Sequence, residues 1–225
     1  MARFTRMEVL NTVVETGLVP VFYHKDPEVA KNVLRACVDA GVRIFEFTNR
    51  GDFAYEVFGQ LEKFAAKEYP QAILGVGSIV DPYAAGMFIS NGANFIVGPC
   101  MNTEVAKICN RKKIPYSPGC GSVTEISAAE ELGVEIVKIF PGMQVGGPEF
   151  VKAVLGPMPW TKIMPTGGVE STRESISAWF KAGVACVGMG SNLIPKDAIT
   201  KNDWKAITAK VAEALSLIKE AKSKK

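Results

Sequence analysis

Short runs of β-branched and aromatic residues recur along the chain about every 20 to 30 residues. Each is closed by glycine, proline or a polar residue and followed by an amphipathic stretch. Eight of these runs predict strands at 18–23, 43–47, 72–76, 95–97, 115–117, 135–139, 162–164 and 185–187. Helical periodicity fills the gaps, as at 27–40, 53–67 and 171–181, and a further helix precedes the first strand. Two helix starts are spelled out. Asp26-Pro27-Glu28 places a capping carboxylate before a proline at the first helical position, and Ser122 to Glu125 has the S-x-x-E spacing of a capping box. Gly41-Val42, Gly92-Ala93, Gly133-Val134 and Gly183-Val184 precede strands, where glycine can end a helix in the left-handed conformation.

Eight strand–helix units in 225 residues predict an α/β fold, a single-domain (β/α)8 TIM barrel with an extra N-terminal helix, residues 1–225 forming one domain. A doubly wound open sheet would alternate in the same way, but no G-x-G-x-x-G opens the first unit and eight similar units suit closure better.

In such a barrel, chemistry sits at the carboxyl ends of the strands. Side chains alternate there, so Phe45 and Phe47 face the helices while Ile44, Glu46 and Thr48 face inward. The same argument turns Ile136, Lys138 and Phe140 inward on the sixth strand. Burial disfavours an ammonium and lowers its pKa, which supplies the neutral amine that attacks a ketone to form a carbinolamine and then an iminium. An inward carboxylate such as Glu46 can shuttle the protons. The alternative is a buried Lys138–Glu46 ion pair with no chemistry. Two glycine-bearing turns are predicted, Pro165-Thr166-Gly167-Gly168-Val169 after the seventh strand and Gly188-Met189-Gly190-Ser191 after the eighth. At those two positions this fold commonly holds a phosphate on backbone amides. Arg50, just past the second strand, offers a fork for a carboxylate, with Asp52 as a rival partner.

Composition narrows the rest. Twenty-six basic residues against 23 acidic ones leave a net charge of +3, part of it in Lys219, Lys222, Lys224 and Lys225, which read as a solvated helix end. No nucleic-acid partner is expected. Cys37, Cys100, Cys109, Cys120 and Cys186 form no C-x-x-C pair and read as reduced, mostly buried thiols. One histidine, His24, excludes a metal site of several imidazoles, so neither metal nor cofactor is expected. Residues 1–14 carry charges instead of a continuous apolar core, and no run of about 18 apolar residues occurs. A cytoplasmic protein without membrane contact is the expectation.

The combination of Gly41-Val42-Arg43-Ile44-Phe45-Glu46-Phe47-Thr48 with Arg50, Gly75-Val76-Gly77-Ser78, Val137-Lys138-Ile139-Phe140-Pro141 and Pro165-Thr166-Gly167-Gly168 resembles the 2-keto-3-deoxy-6-phosphogluconate aldolase family. Members often also cleave 4-hydroxy-2-oxoglutarate. The resemblance runs from about residue 17 to 194, with E-x-T-x-R, K-x-F-P and P-T-G-G in the family's order and spacing. It implies a metal-independent, class I aldolase, usually a homotrimer, that splits the phosphorylated keto-deoxy acid into pyruvate and glyceraldehyde 3-phosphate. Carried over by motif, Lys138 is the Schiff-base lysine and Glu46 the acid/base. Arg50 and Ser78 hold the pyruvate carboxylate, while Pro99 and Phe140 wall the pyruvyl methyl. Thr166 faces the sugar hydroxyls, and Gly167, Gly168, Gly190 and Ser191 bind phosphate. Ser78 stands where many relatives carry threonine, and Tyr23, beside His24, where some carry arginine. The same residues fit an epimeric phosphogalactonate substrate, and a non-catalytic sugar-acid phosphate binder is the alternative of a different kind.

Overall fold

The helices begin where short polar side chains can satisfy their free amides. The computed structural model describes residues 2–223. Thr5 and Glu8 close a reciprocal capping box on α1 (Arg6–Thr16), and Asp26 accepts a hydrogen bond from the Glu28 amide to start α2 (Pro27–Asp39). Strand β1 (Leu18–Phe22) lies between them. There follow β2 (Ile44–Thr48), α3 (Ala54–Glu68), β3 (Ile73–Gly77), α4 (Pro82–Ser90), β4 (Ile96–Val97) and α5 (Thr103–Lys112). The second half holds β5 (Tyr116–Ser117), β6 (Gly119–Cys120), α6 (Val123–Glu131), β7 (Val137–Ile139), α7 (Gly147–Leu155), β8 (Ile163–Pro165), α8 (Arg173–Ala182), β9 (Val187–Met189), the short α9 (Lys196–Thr200) and α10 (Trp204–Ser223).

All pairings are parallel, in two arcs ordered β5-β4-β3-β2-β1-β9 and β6-β7-β8. The arcs meet through the chain itself at Pro118, which has no N–H to give; beyond it the fifth stave continues as β6, past the predicted end at residue 117. They meet again at a Thr166–Gly188 bridge and an Ala185 N–H to Ile163 carbonyl bond of 2.9 Å. Eight staves therefore close into a barrel, as expected. Val19, Ile44, Ile73, Phe95, Ile136, Met164 and Cys186 fill its lower half, and Val9 and Val13 of α1 plug the bottom. A second apolar layer lies between the strands and the outer helices, centred on residues such as Phe45, Phe47, Phe58 and Trp179. The lower barrel is thus solid, and only its carboxyl end is left for polar side chains.

Several boundaries differ from expectation. Strands β2, β3, β8 and β9 run one or two residues further than predicted, so Pro165, Gly188 and Met189 belong to strands and not to turns. Gly188 is a strand glycine because a Cβ there would lie 2.4 Å from Thr166 Oγ1. All four glycines of the pre-strand pairs do have positive φ, from 79° to 113°. The Ser122 cap is only partly a box: Ser122 accepts from the Glu125 amide, but the Glu125 carboxylate turns to the Gly121 amide at 2.7 Å. Lys224 and Lys225 lie outside the described residues. Lys222 is no solvated end; its Nζ donates to the carbonyls of Val14 and Glu15 at 2.5 and 3.0 Å and so caps the last turn of α1. The five cysteines are all free thiols, and every one but Cys100 is buried. No described helix is long and apolar enough to cross a membrane.

Candidate active site

At the carboxyl end of the barrel the two inward-facing ionisable side chains are both buried, Glu46 at 1% and Lys138 at 5% exposure. Burial lowers the Lys138 pKa; Glu46 opposes that shift, and Arg50 adds to it. Burial likewise raises the Glu46 pKa, against the pull of Lys138 and Arg50. Among the described residues no ion pair joins the two groups directly. Their charges sense each other, yet neither is consumed by the other. The Lys138 Nζ lies 4.8 Å from the centre of the Phe140 ring, which covers one side of the amine with an aromatic face.

Small residues make this possible. Glu46 is aligned with Gly75 in the β2–β3 ladder, and Gly77 sits two residues beyond. A Cβ at Gly77 would lie 1.8 Å from Glu46 Oε1, so glycine there is the space the carboxylate occupies. Gly75 does the same for the Phe95 ring beneath, and Gly119 for the Pro99 carbonyl, at 2.2 Å from a built Cβ. Pro99 thereby reaches the barrel mouth alongside the β6–β7 pair, where Gly119 is aligned with Lys138.

After β2 the chain turns sharply, with the Asn49 amide donating to the Gly77 carbonyl at 2.9 Å. That turn presents Arg50, whose Nε donates to Ser78 Oγ at 3.1 Å. Asp52 does not pair with Arg50 among the described residues. Ser78 itself holds a left-handed φ of 61°, a conformation that costs a non-glycine residue on the order of 1 kcal/mol and that concentrates at functional positions.

The loop after β8 is held open by Gly167 and Gly168, with φ of 89° and 77°; a Cβ at Gly168 would strike Met143 Cγ at 2.1 Å. The Gly142 and Met143 amides donate to the Thr166 and Gly167 carbonyls, so the loop's carbonyls are spent. Among the described residues the amides of Gly168 and Ser191 donate to no protein acceptor, as an anion cradle requires. Asn192 ties the two loops together: its side-chain amide donates to the Val169 carbonyl, and its own carbonyl accepts from Ser171 Oγ, both at 3.1 Å. Sequence reasoning missed Asn192, because nothing local marks an asparagine that bridges loops 23 residues apart.

Thr48 was also given no role. Its Oγ1, with Glu46 Oε2 and Thr166 Oγ1, is a buried oxygen without a protein hydrogen-bond partner. A buried unpaired polar atom costs about 1–3 kcal/mol. Three of them on staves that share one barrel mouth indicate capacity reserved for a polar ligand. A cleft of about 430 Å³ opens beside this mouth, lined in part by Tyr23, His24, Arg50 and Ser191. A larger hollow of about 550 Å³ lies at the other end of the barrel, between Phe4, Arg6 and Lys113. Neither Lys138 nor Glu46 is there, so size does not mark the chemistry.

A sequence profile of the family described as KDPG and KHG aldolase matches residues 9–210. The chain is 32% identical over 205 residues to the KHG/KDPG aldolase of Escherichia coli K12, covering 91% of this chain and 93% of that one. It is 32% identical over 199 residues to the 2-dehydro-3-deoxy-phosphogluconate aldolase of Dickeya dadantii, covering 88% and 91%. Among solved structures it is similar to KDPG aldolase from Legionella pneumophila with pyruvate captured as a covalent carbinolamine intermediate, at a TM-score of 0.82, 28% identity and coverage of 90% and 96%.

Proposed function

The chain belongs to the family of KDPG and KHG aldolases, and from that membership we propose that it cleaves 2-keto-3-deoxy-6-phosphogluconate to pyruvate and glyceraldehyde 3-phosphate through a Schiff base on Lys138. One observation carries the assignment of the nucleophile. Lys138 is a buried amine whose pKa is held down, electrostatically coupled to the Glu46 carboxylate but not ion-paired with it.

The Lys138 lone pair adds to the C2 carbonyl carbon of the keto acid, giving a carbinolamine. Loss of water, with Glu46 supplying the proton to the departing hydroxyl, gives the iminium. Glu46 then takes the proton of the C4 hydroxyl as the C3–C4 bond breaks. The bonding electrons move to the iminium nitrogen, leaving an enamine and releasing the aldehyde. Proton return to C3 and hydrolysis of the resulting iminium free pyruvate and the lysine. A raised Glu46 pKa suits a group that must hold and release a proton in one cycle.

Arg50, oriented by Ser78, receives the substrate carboxylate. Pro99 and Phe140 enclose the methyl end, Thr166 meets the hydroxyls, and the amides of Gly167, Gly168, Gly190 and Ser191 take the phosphate. Relatives are named for both acids, so 4-hydroxy-2-oxoglutarate is the second substrate to assay. The resemblance further supports a cytoplasmic homotrimer working in the Entner–Doudoroff pathway; light scattering should then report three times the 24.2 kDa chain mass.

The decisive test is borohydride trapping. With pyruvate present, reduction should add a stable mass to one peptide, the one containing Lys138, and Lys138→Met should remove both label and turnover. A folded protein that turns over substrate but is never labelled would overturn the assignment.

A further inference from the structure

The cleft beside the barrel mouth has walls of two kinds. One is the turn after β9 with Ser191, already placed at the phosphate. The other carries Tyr23 and His24 from the end of β1, and Lys196 and Thr200 from α9. Its lining includes two permanent cations, Arg50 and Lys196, and no carboxylate. Lys196 forms no ion pair among the described residues.

The β1 wall is rigidly built. The His24 ring stacks parallel to Phe22, with an interplanar angle of 3°, and its Nδ1 accepts a hydrogen bond from the Asp26 amide at 3.0 Å. Acceptance at Nδ1 places the proton of the neutral ring on Nε2, which makes His24 a donor. Tyr23 reaches the Arg50 turn; a Cβ at Gly51 would meet its hydroxyl at 2.1 Å. Donors and cations thus surround a space in which the only fixed negative partner would have to be brought by a ligand.

We infer that this cleft is a second wall of the acceptor subsite, in which Lys196 and His24 recognise the phosphate dianion of the aldehyde from the side opposite the Gly167–Ser191 cradle. The inference rests on the Schiff-base reading of the mouth and extends it to two residues for which the family resemblance assigns nothing. A dianion fits because the cradle amides already satisfy part of the phosphate's acceptor capacity, while Lys196, the lining cation that the substrate carboxylate does not engage, supplies opposite charge and His24 a further donor. Lys196 and His24 are specificity-determining residues here and take no part in bond breaking.

The test compares pyruvate addition to glyceraldehyde 3-phosphate and to unphosphorylated glyceraldehyde in wild type, Lys196→Met and His24→Phe. Loss of one charge-assisted hydrogen bond should lower the preference for the phosphorylated acceptor roughly tenfold, through KM and not kcat. Inhibition by inorganic phosphate should weaken in parallel. An unchanged preference with unchanged phosphate inhibition in both variants overturns the inference. Borohydride trapping of pyruvate on each variant separates this outcome from failure of the Lys138 assignment, since trapping does not require the acceptor.

Discussion

Replacing Gly77 by alanine adds one methyl group at the point where the barrel interior is most closely fitted. The new Cβ would lie 1.8, 2.6 and 3.0 Å from Oε1, Cδ and Cγ of Glu46. Non-bonded heavy atoms settle at about 3.5–4 Å, so the carboxylate must withdraw by roughly 1.5–2 Å or β3 must move. Misplacing a reacting group by about 1 Å costs on the order of 10²-fold in rate. Overpacking alone costs about 1–3 kcal/mol of stability, or a few degrees in Tm for a chain of this size. The expected result is a folded variant whose kcat in a coupled pyruvate-release assay falls by about 10²-fold or more. Borohydride should still trap pyruvate on the untouched Lys138, but more slowly, because the displaced Glu46 also protonates the departing hydroxyl. Glu46→Asp, one methylene shorter, should recover part of the loss in the Gly77→Ala background while lowering activity in the wild-type one. A folded Gly77→Ala enzyme with wild-type kcat, or an absence of any such rescue, would refute the idea that glycine is there to house the carboxylate.

Stability should depend on pH through the same pair. Lys138 has a folded pKa below its unfolded value, so the unfolded chain binds more protons and stability rises with pH between the two values; Lys138→Met should abolish that rise in Tm. Glu46 is the opposite case: its folded pKa is raised, so stability falls as pH rises from the unfolded pKa through the folded one, and Glu46→Gln should flatten that slope. Far from the mouth, Arg3→Ala should cost about 3 kcal/mol in a urea melt. Arg3 pairs with Glu62 at 2.6 Å and also donates to the Pro70 and Ala72 carbonyls, and its loss strands a mostly buried carboxylate whose pKa burial already raises. A change under about 0.5 kcal/mol would show that Glu62 finds another partner.

The strands and the inward turn of Glu46 and Lys138 were legible because alternation fixes which side chains share a face. The errors cluster at glycine. Gly188 read as a turn because glycine weakens an isolated strand, whereas inside a narrow barrel it is a vacancy filled by the neighbouring stave's side chain. The continuation of the fifth stave as β6 beyond Pro118 was not legible, because its pairing is defined by the neighbouring stave β7. Thr48 and Asn192 escaped for a different reason: an unpaired hydroxyl and a loop-bridging amide are defined by what lies around them in space. Lys222 misled because an alternating basic tail looks the same whether its amines meet solvent or helix carbonyls.

That last contact has a bearing on the order in which the molecule can mature during synthesis. The stopper at the base of the barrel is synthesised 208 residues ahead of the amine that fastens its end. Until then the Val14 and Glu15 carbonyls lack the Lys222 donor, and the Gly17 bend lacks the α10 side chains that press on it. A nascent chain therefore carries its closure as a pending event, and ribosome-stalled fragments ending before residue 204 should be cut by protease within the first helix far more readily than the released protein.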